Sequence, residues 1–203
     1  MTVFPRVNLH YTPGGQQPVA FHQENRKKIR LQGYLVQGGV VPGSKLLLQV
    51  DLQNPKLSVI KRIEATLIQR RQISRCTHTE TIFQLDLPDM REFFAPSLQR
   101  TFELMVPSVY LSPSYTYITP ITNSPVCISV SYELILDVKV RGLFTDFKVT
   151  IPVVVGTEPM SAEQQQQQQL INPPVEMPIA SAPVMEHDDL PPSYESIVTD
   201  HKM

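Results

Sequence analysis

The chain has 203 residues, 41% of them hydrophobic and 18% charged, with 18 basic against 19 acidic side chains. That length and composition suffice for one real core, and a formal net charge of −1 excludes the strongly basic surface of a nucleic-acid binder. The average conceals a split. Residues 157–203 hold eight acidic side chains against Lys202 alone, which leaves 17 basic and 11 acidic groups, a net of +6, for residues 1–156. Two cysteines, Cys76 and Cys127, are too few for the disulfide framework of a small secreted domain. The amino terminus lacks an uninterrupted apolar run, so no signal peptide is expected. No apolar stretch approaches the ~18 residues that would span a bilayer.

Residues 1–28 contain Pro5, Pro13, Gly14, Gly15 and Pro18 before the polar run HQENRKK, and they read as an irregular lead-in with at most a short strand at VNLHY. Patterning starts at Ile29. In IRLQGYLVQ, Ile29, Leu31 and Leu35 alternate with polar or small residues at period two, as in a half-buried strand. GGVVPG then breaks the chain. From Lys45 the alternation returns, with Leu46, Leu48, Val50 and Leu52 on one side, and it ends at Asn54-Pro55. VIKRIEATLIQRRQI places Ile63, Ala65 and Leu67 on one face and Glu64, Thr66 and Ile68 on the other, a spacing that fits a strand better than a helix.

A weaker strand is expected at THTETIFQL, and an alternating one at RTFELMV, closed by Pro107. The stretch 107–125 carries Pro107, Pro113, Pro120 and Pro125; it must be extended and cannot lie within a sheet, because each proline removes a ladder donor. The clearest pattern follows. Val126, Ile128, Val130, Tyr132, Leu134, Leu136, Val138 and Val140 are apolar at strict period two, and after a turn at Arg141-Gly142 the series Phe147, Val149, Ile151, Val153 and Val155 continues it. Six or seven strands without a convincing helix, in one span of about 128 residues from Ile29, predict an all-β sandwich. Residues 159–203 have no period, six consecutive glutamines (Gln164 to Gln169) and many prolines. Such a segment buries too little apolar area to offset its ordering entropy and is expected to be a disordered acidic tail.

Chemistry is mostly absent. No phosphate-loop, dinucleotide, zinc-protease or nucleophile-elbow signature occurs. Cys76 and His78 sit two apart, but alternate strand positions supply at most half of a zinc site. No enzyme, metal or cofactor is therefore expected. Basic residues cluster at Arg26, Lys27, Lys28 and Arg30, and again at Lys61, Arg62, Arg70, Arg71 and Arg75. The second group is a candidate phosphate or anionic-membrane contact, and its bland alternative is a solvated strand face or a charged edge.

The sharpest signal lies near the end, where Leu190-Pro191-Pro192-Ser193-Tyr194 is a PPxY sequence. Two adjacent prolines preset a polyproline II turn that fits the aromatic groove of a WW domain. Pro191, Pro192 and Tyr194 are thus the candidate WW-binding residues. Tyr194 and Ile197 also fit YxxΦ, a candidate sorting signal for clathrin adaptors, although the pattern is loose. Phosphorylation of Tyr194 would add about −1.5 to −2 charges to a ring meant for an apolar pocket and would switch off WW binding.

Taken in order, GYLVQGGVVPGSKLLLQVDLQNPKLSVIKRIEATLIQRRQI, then VCISVSYELILDVKV and VTIPVVVGTEP, resembles the carboxy-terminal domain of arrestins, and PPSY in the tail is similar to what the α-arrestin (arrestin domain-containing) branch carries. Family members have two sandwiches, and this sequence holds one, so the amino-terminal arrestin domain is expected to be lacking. The resemblance covers residues 29–158 and implies an immunoglobulin-like β-sandwich there, in an adaptor that brings WW-containing HECT-type ubiquitin ligases to membrane receptors or transporters, promoting ubiquitination, endocytosis and protein transport. It implies a cytoplasmic protein, peripheral at the plasma membrane and endosomes, that takes no nucleic acid and no cofactor. Two alternatives remain: a shortened competitor that occupies WW domains without delivering cargo, and a component of a retromer-like coat.

Overall fold

A computed structural model describes residues 5–119 and 126–158. Every regular element among them is a strand: β1 (Val19–Glu24), β2 (Arg30–Leu35), β3 (Gly39–Val40), β4 (Lys45–Gln53), β5 (Ile60–Ile73), β6 (Cys76–Asp86), β7 (Ser97–Met105), β8 (Tyr115–Ile118), β9 (Cys127–Val140) and β10 (Phe147–Val155). They form two sheets, β1-β2-β4-β7 and β3-β10-β9-β5-β6, with β8 paired to the first residues of β9. All pairings within them are antiparallel except the short parallel contact of β3 with β10.

The period-two sequences put one side of each strand into a shared core. Leu46, Leu48, Val50 and Leu52 of β4 face Ile63, Ala65 and Leu67 of β5 and the even-numbered series Tyr132 to Val140 of β9. Each such aliphatic side chain contributes roughly 1.5–3 kcal/mol on burial. The all-β sandwich expected from the alternation is what forms. Gly33 in β2 has φ +155°, and a Cβ there would stand 2.0 Å from the Gln49 carbonyl oxygen, so only glycine allows β2 and β4 to approach at this point.

Three elements lie where the sequence reading placed none. The lead-in expected to be irregular over residues 1–28 supplies β1, an edge strand whose single buried residue, Phe21, is too little to show a period. Within VNLHY only Asn8 pairs, in an isolated bridge to Glu158. The GGVVPG break contains the two-residue β3, and the proline-rich stretch contains β8 between Pro113 and Pro120. β8 sits at an edge, consistent with the exclusion of proline from sheet interiors.

β5 and β9 are 14 residues each and pair along their whole length, roughly 46 Å at a strand rise of ~3.3 Å. The facing sheet is shorter, with strands of six to nine residues. The ends of β5 and β9, together with the first half of β6 and all of β8, therefore project past the sandwich. The pattern of β6 records this: Cys76 to Thr81 are exposed on both faces, and only from Ile82 onward is the strand partly covered.

Candidate interaction surfaces

The polar boundary of the core sits where the overhang begins. Tyr132 is buried, accepts a hydrogen bond from the Gln69 amide and donates to the Ser112 carbonyl at 2.5 Å. Gln69 in turn accepts from Arg71 Nε, and Arg71 Nη2 reaches Glu80 at 2.8 Å. This relay ties the proline-rich segment to the long strands, and burial raises the Tyr132 phenol above its ordinary value. Beside it lies a cleft of about 340 Å³, lined by Arg71, Glu80, Ile82, Val109, Tyr110 and Ser112 among others.

The basic residues of β5 do not come together as one patch. Lys61 occupies a bulge, where the register with β9 shifts between Ile60 and Arg62, and its carbonyl accepts the Glu92 N–H. Arg62 lies 3.4 Å from Glu64 and 3.9 Å from Asp86. Arg70 pairs with Glu133 at 3.1 Å. Period two sends Arg62 and Arg70 to the outer face, about 26 Å apart along the strand, and Arg71 to the inner face. Arg75 is exposed in the two-residue turn that joins β5 to β6. In the first cluster, Lys28 and Arg30 both hold Glu24, at 3.0 and 3.1 Å. Hydrogen bonds from Lys28 and then Arg30 keep the Glu24 carboxyl below its ordinary range.

A different surface forms at the opposite end of the sandwich, in the turn between β9 and β10. Leu143 is 86% exposed and Phe144 87%. The base of this turn is fixed: Asp146 accepts the Val140 N–H at 2.8 Å, Asn25 donates to the Thr145 carbonyl at 2.8 Å, and Lys27 Nζ donates to the Arg141 carbonyl at 2.7 Å. Two large apolar side chains thus stand out on a braced turn flanked by Lys27 and Arg141. Sequence reasoning passed over them, although Leu-Phe between two alternating strands, in a position where turns are usually polar, was a legible signal.

Residues 25–160, two thirds of the chain, match the family described as "Arrestin (or S-antigen), C-terminal domain". The chain belongs to that family. The arrestin-type domain so delimited begins a few residues before the expected Ile29 and leaves β1 just outside it. No curated protein matches the chain. Among solved structures, the sporulation control protein Spo0M from Bacillus subtilis is similar at 17% identity and a TM-score of 0.45, over 70% of this chain and 54% of that one. The chain thus spans about half the length of that protein.

Proteins of the arrestin fold family are generally non-enzymatic and adaptor-like in role. Among the described residues of this arrestin domain, no group of three or more His, Cys, Asp or Glu side chains could hold a metal ion. Cys76 is exposed, Cys127 is half-buried, and both thiols are free. No helix among the described residues is long and apolar enough to cross a membrane. Pro191, Pro192, Tyr194 and Ile197, the WW-binding and sorting-signal candidates, lie outside the described residues.

Proposed function

We propose that the chain is an arrestin-type adaptor whose sandwich engages membrane cargo and whose Pro191-Pro192-x-Tyr194 segment recruits the WW domains of a HECT-type ubiquitin ligase. The cargo, a receptor or transporter, is then ubiquitinated, internalised and transported. The observation that carries this reading is the union, in one chain, of an arrestin C-terminal domain over residues 25–160 and a PPxY sequence at residues 191–194. Neither part alone would suffice: the sandwich has no recruiting sequence, and the peptide has nothing to deliver.

The adaptor works in the cytoplasm, at the plasma membrane and endosomes, without a cofactor and without chemistry of its own. The exposed Leu143-Phe144 turn supports a peripheral membrane position, since two apolar side chains beside Lys27 suit an anionic leaflet, while the neighbouring Arg141 is paired with Glu92 at 3.0 Å. Lys61 is exposed, without a carboxylate partner among the described residues, and lies at the same end of β5 as this turn, so it is the β5 cation best placed to join such a contact; Arg75 is at the other end. Tyr194 and Ile197 would serve clathrin adaptors only when the WW domain is absent, because one tyrosine cannot fill both pockets.

The test is ubiquitination of plasma-membrane receptors in cells expressing the wild-type chain, Tyr194→Ala or Phe144→Asp. Tyr194→Ala is expected to retain cargo in co-precipitation and to lose its ubiquitination. Phe144→Asp is expected to keep ligase binding and to lose membrane association. Cargo ubiquitination that is unaltered by Tyr194→Ala would overturn the reading.

A further inference from the structure

Among the described residues the outer edge of β6 is unpaired, and it is unusual for its length. Antiparallel sheets protect such edges with lysines, prolines or covering loops, and β6 has 11 residues, CTHTETIFQLD, with neither lysine nor proline. The loop after it turns away: Phe93 bridges Ile60, and Glu92 bonds the Lys61 carbonyl, at the far end of β5. The half from Cys76 to Thr81 is left open on both faces.

The direction of the open hydrogen-bonding groups follows from the turn. A two-residue connection, Ser74-Arg75, makes Ile73 and Cys76 the closing hydrogen-bonded pair. Alternation then aims the backbone groups of Cys76, His78 and Glu80 at β5 and those of Thr77, Thr79 and Thr81 outward. The register is continuous up to Thr81, beyond which it shifts at Ile82.

We infer that this edge pairs with the same edge of a second copy of the chain, antiparallel and centred on Thr79. The observation that selects a second copy is that the segment is complementary to itself. With Thr79 opposite Thr79, Thr77 meets Thr81, and His78 meets Glu80, twice over. The threonines fall at the hydrogen-bonded positions. His78 and Glu80 fall at the closer non-hydrogen-bonded positions, on the inner face, where an imidazole N–H can donate to the Glu80 carboxylate beside the Arg71 that already holds it. Moving the centre by one residue, to His78 or Glu80, keeps threonine pairs but sets that residue against its own copy and loses the His78–Glu80 match. The pairing is isologous and closes at two copies. Five residues of strand edge bury less than the roughly 1,200 Å² of a stable interface, so the dimer is weak and concentration-dependent. At a membrane, where copies concentrate, it would join two PPxY segments into one bivalent ligand, a consequence that rests on the adaptor reading.

The test uses the full chain in a Cys76→Ser/Cys127→Ala background. Thr79→Cys is expected to cross-link to itself under oxidised glutathione, because that residue faces its own copy across the two-fold axis. Thr77→Cys alone is expected to form no cross-link, and a mixture of Thr77→Cys with Thr81→Cys is expected to cross-link. In analytical ultracentrifugation the wild-type chain should shift towards dimer with concentration and Thr79→Lys should not, with the same circular dichroism spectrum for both. A wild-type chain that stays monomeric at all concentrations, or cross-linking equal at all three positions, would overturn the inference. Neither result would bear on WW binding, so the two proposals fail separately.

Discussion

The two halves of the β5–β9 pair share a pattern and differ in what covers them. From Ile60 to Leu67 and from Leu134 to Val140, the inner face lies under the four-stranded sheet and its side chains are fully buried. Gln69 and Val130 are still buried at the boundary, but from Arg71 to Ile73 and from Cys127 to Ser129 the same alternation continues past the end of that sheet, and Ile73 is 60% exposed. Alternation therefore specifies the strand but not its burial. What converts a patterned face into a core is the opposing layer, and in this protein that layer ends at Tyr132.

This contrast orders the expected effects of substitution. Leu134→Asp buries an unpaired charge among the core aliphatics and should cost about 4–5 kcal/mol, abolishing the cooperative unfolding transition. Ile73→Asp, six residues along the paired strand in the same alternation, should change stability by about 0.5 kcal/mol or less. Equal effects at the two sites in urea unfolding would mean that something covers the overhang. Asn54 is fully buried at the covered end; it donates to the Ser58 and Ala95 carbonyls at 2.9 and 3.1 Å and accepts the Ser58 N–H. Asn54→Ala strands those groups and should cost about 2–3 kcal/mol, read from the same denaturant curves.

Tyr132 marks the boundary, and Tyr132→Phe should cost about 1–2 kcal/mol through the loss of the Gln69 and Ser112 contacts. Because burial raises the folded-state phenol above 10.0, the native state favours the neutral form. The contribution of Tyr132 is therefore complete below pH 10 and is lost as pH rises through the higher folded value. Tyr132→Phe should flatten that alkaline decline in thermal stability. A small effect is also expected of Arg70→Ala, which removes a half-exposed pair with Glu133 and should cost less than about 1 kcal/mol.

Much of the fold was legible because the strands that build the core alternate cleanly: β4, β5, β7, β9 and β10 each have one side facing a second layer. The parts that were not legible have physical reasons. β1 buries only Phe21, β3 is two residues long, and β8 sits between prolines that favour extended chain without requiring pairing. The overhanging half of β6 has no buried face, so nothing in its sequence alternates in hydrophobicity. The surfaces were harder. Lys61, Arg62, Arg70 and Arg71 are close in sequence, but a bulge and the pleat spread them over two faces, and a carboxylate stands beside each of the three arginines. Charge proximity along a strand does not become a patch unless the spacing is even and the cross-strand neighbours are neutral.

The central claim is that a folded arrestin-type body and a recruiting tail act as separate parts of one adaptor. The most direct measurement is calorimetric titration of the full chain and its Tyr194→Ala variant with the WW domains of a HECT-type ubiquitin ligase, alongside thermal unfolding of both proteins. The account predicts binding to the wild type, none to the variant, and the same unfolding temperature for each. Equal binding by both, or none by either, would contradict the recruiting role, and a variant that unfolds earlier would contradict the independence of the two parts.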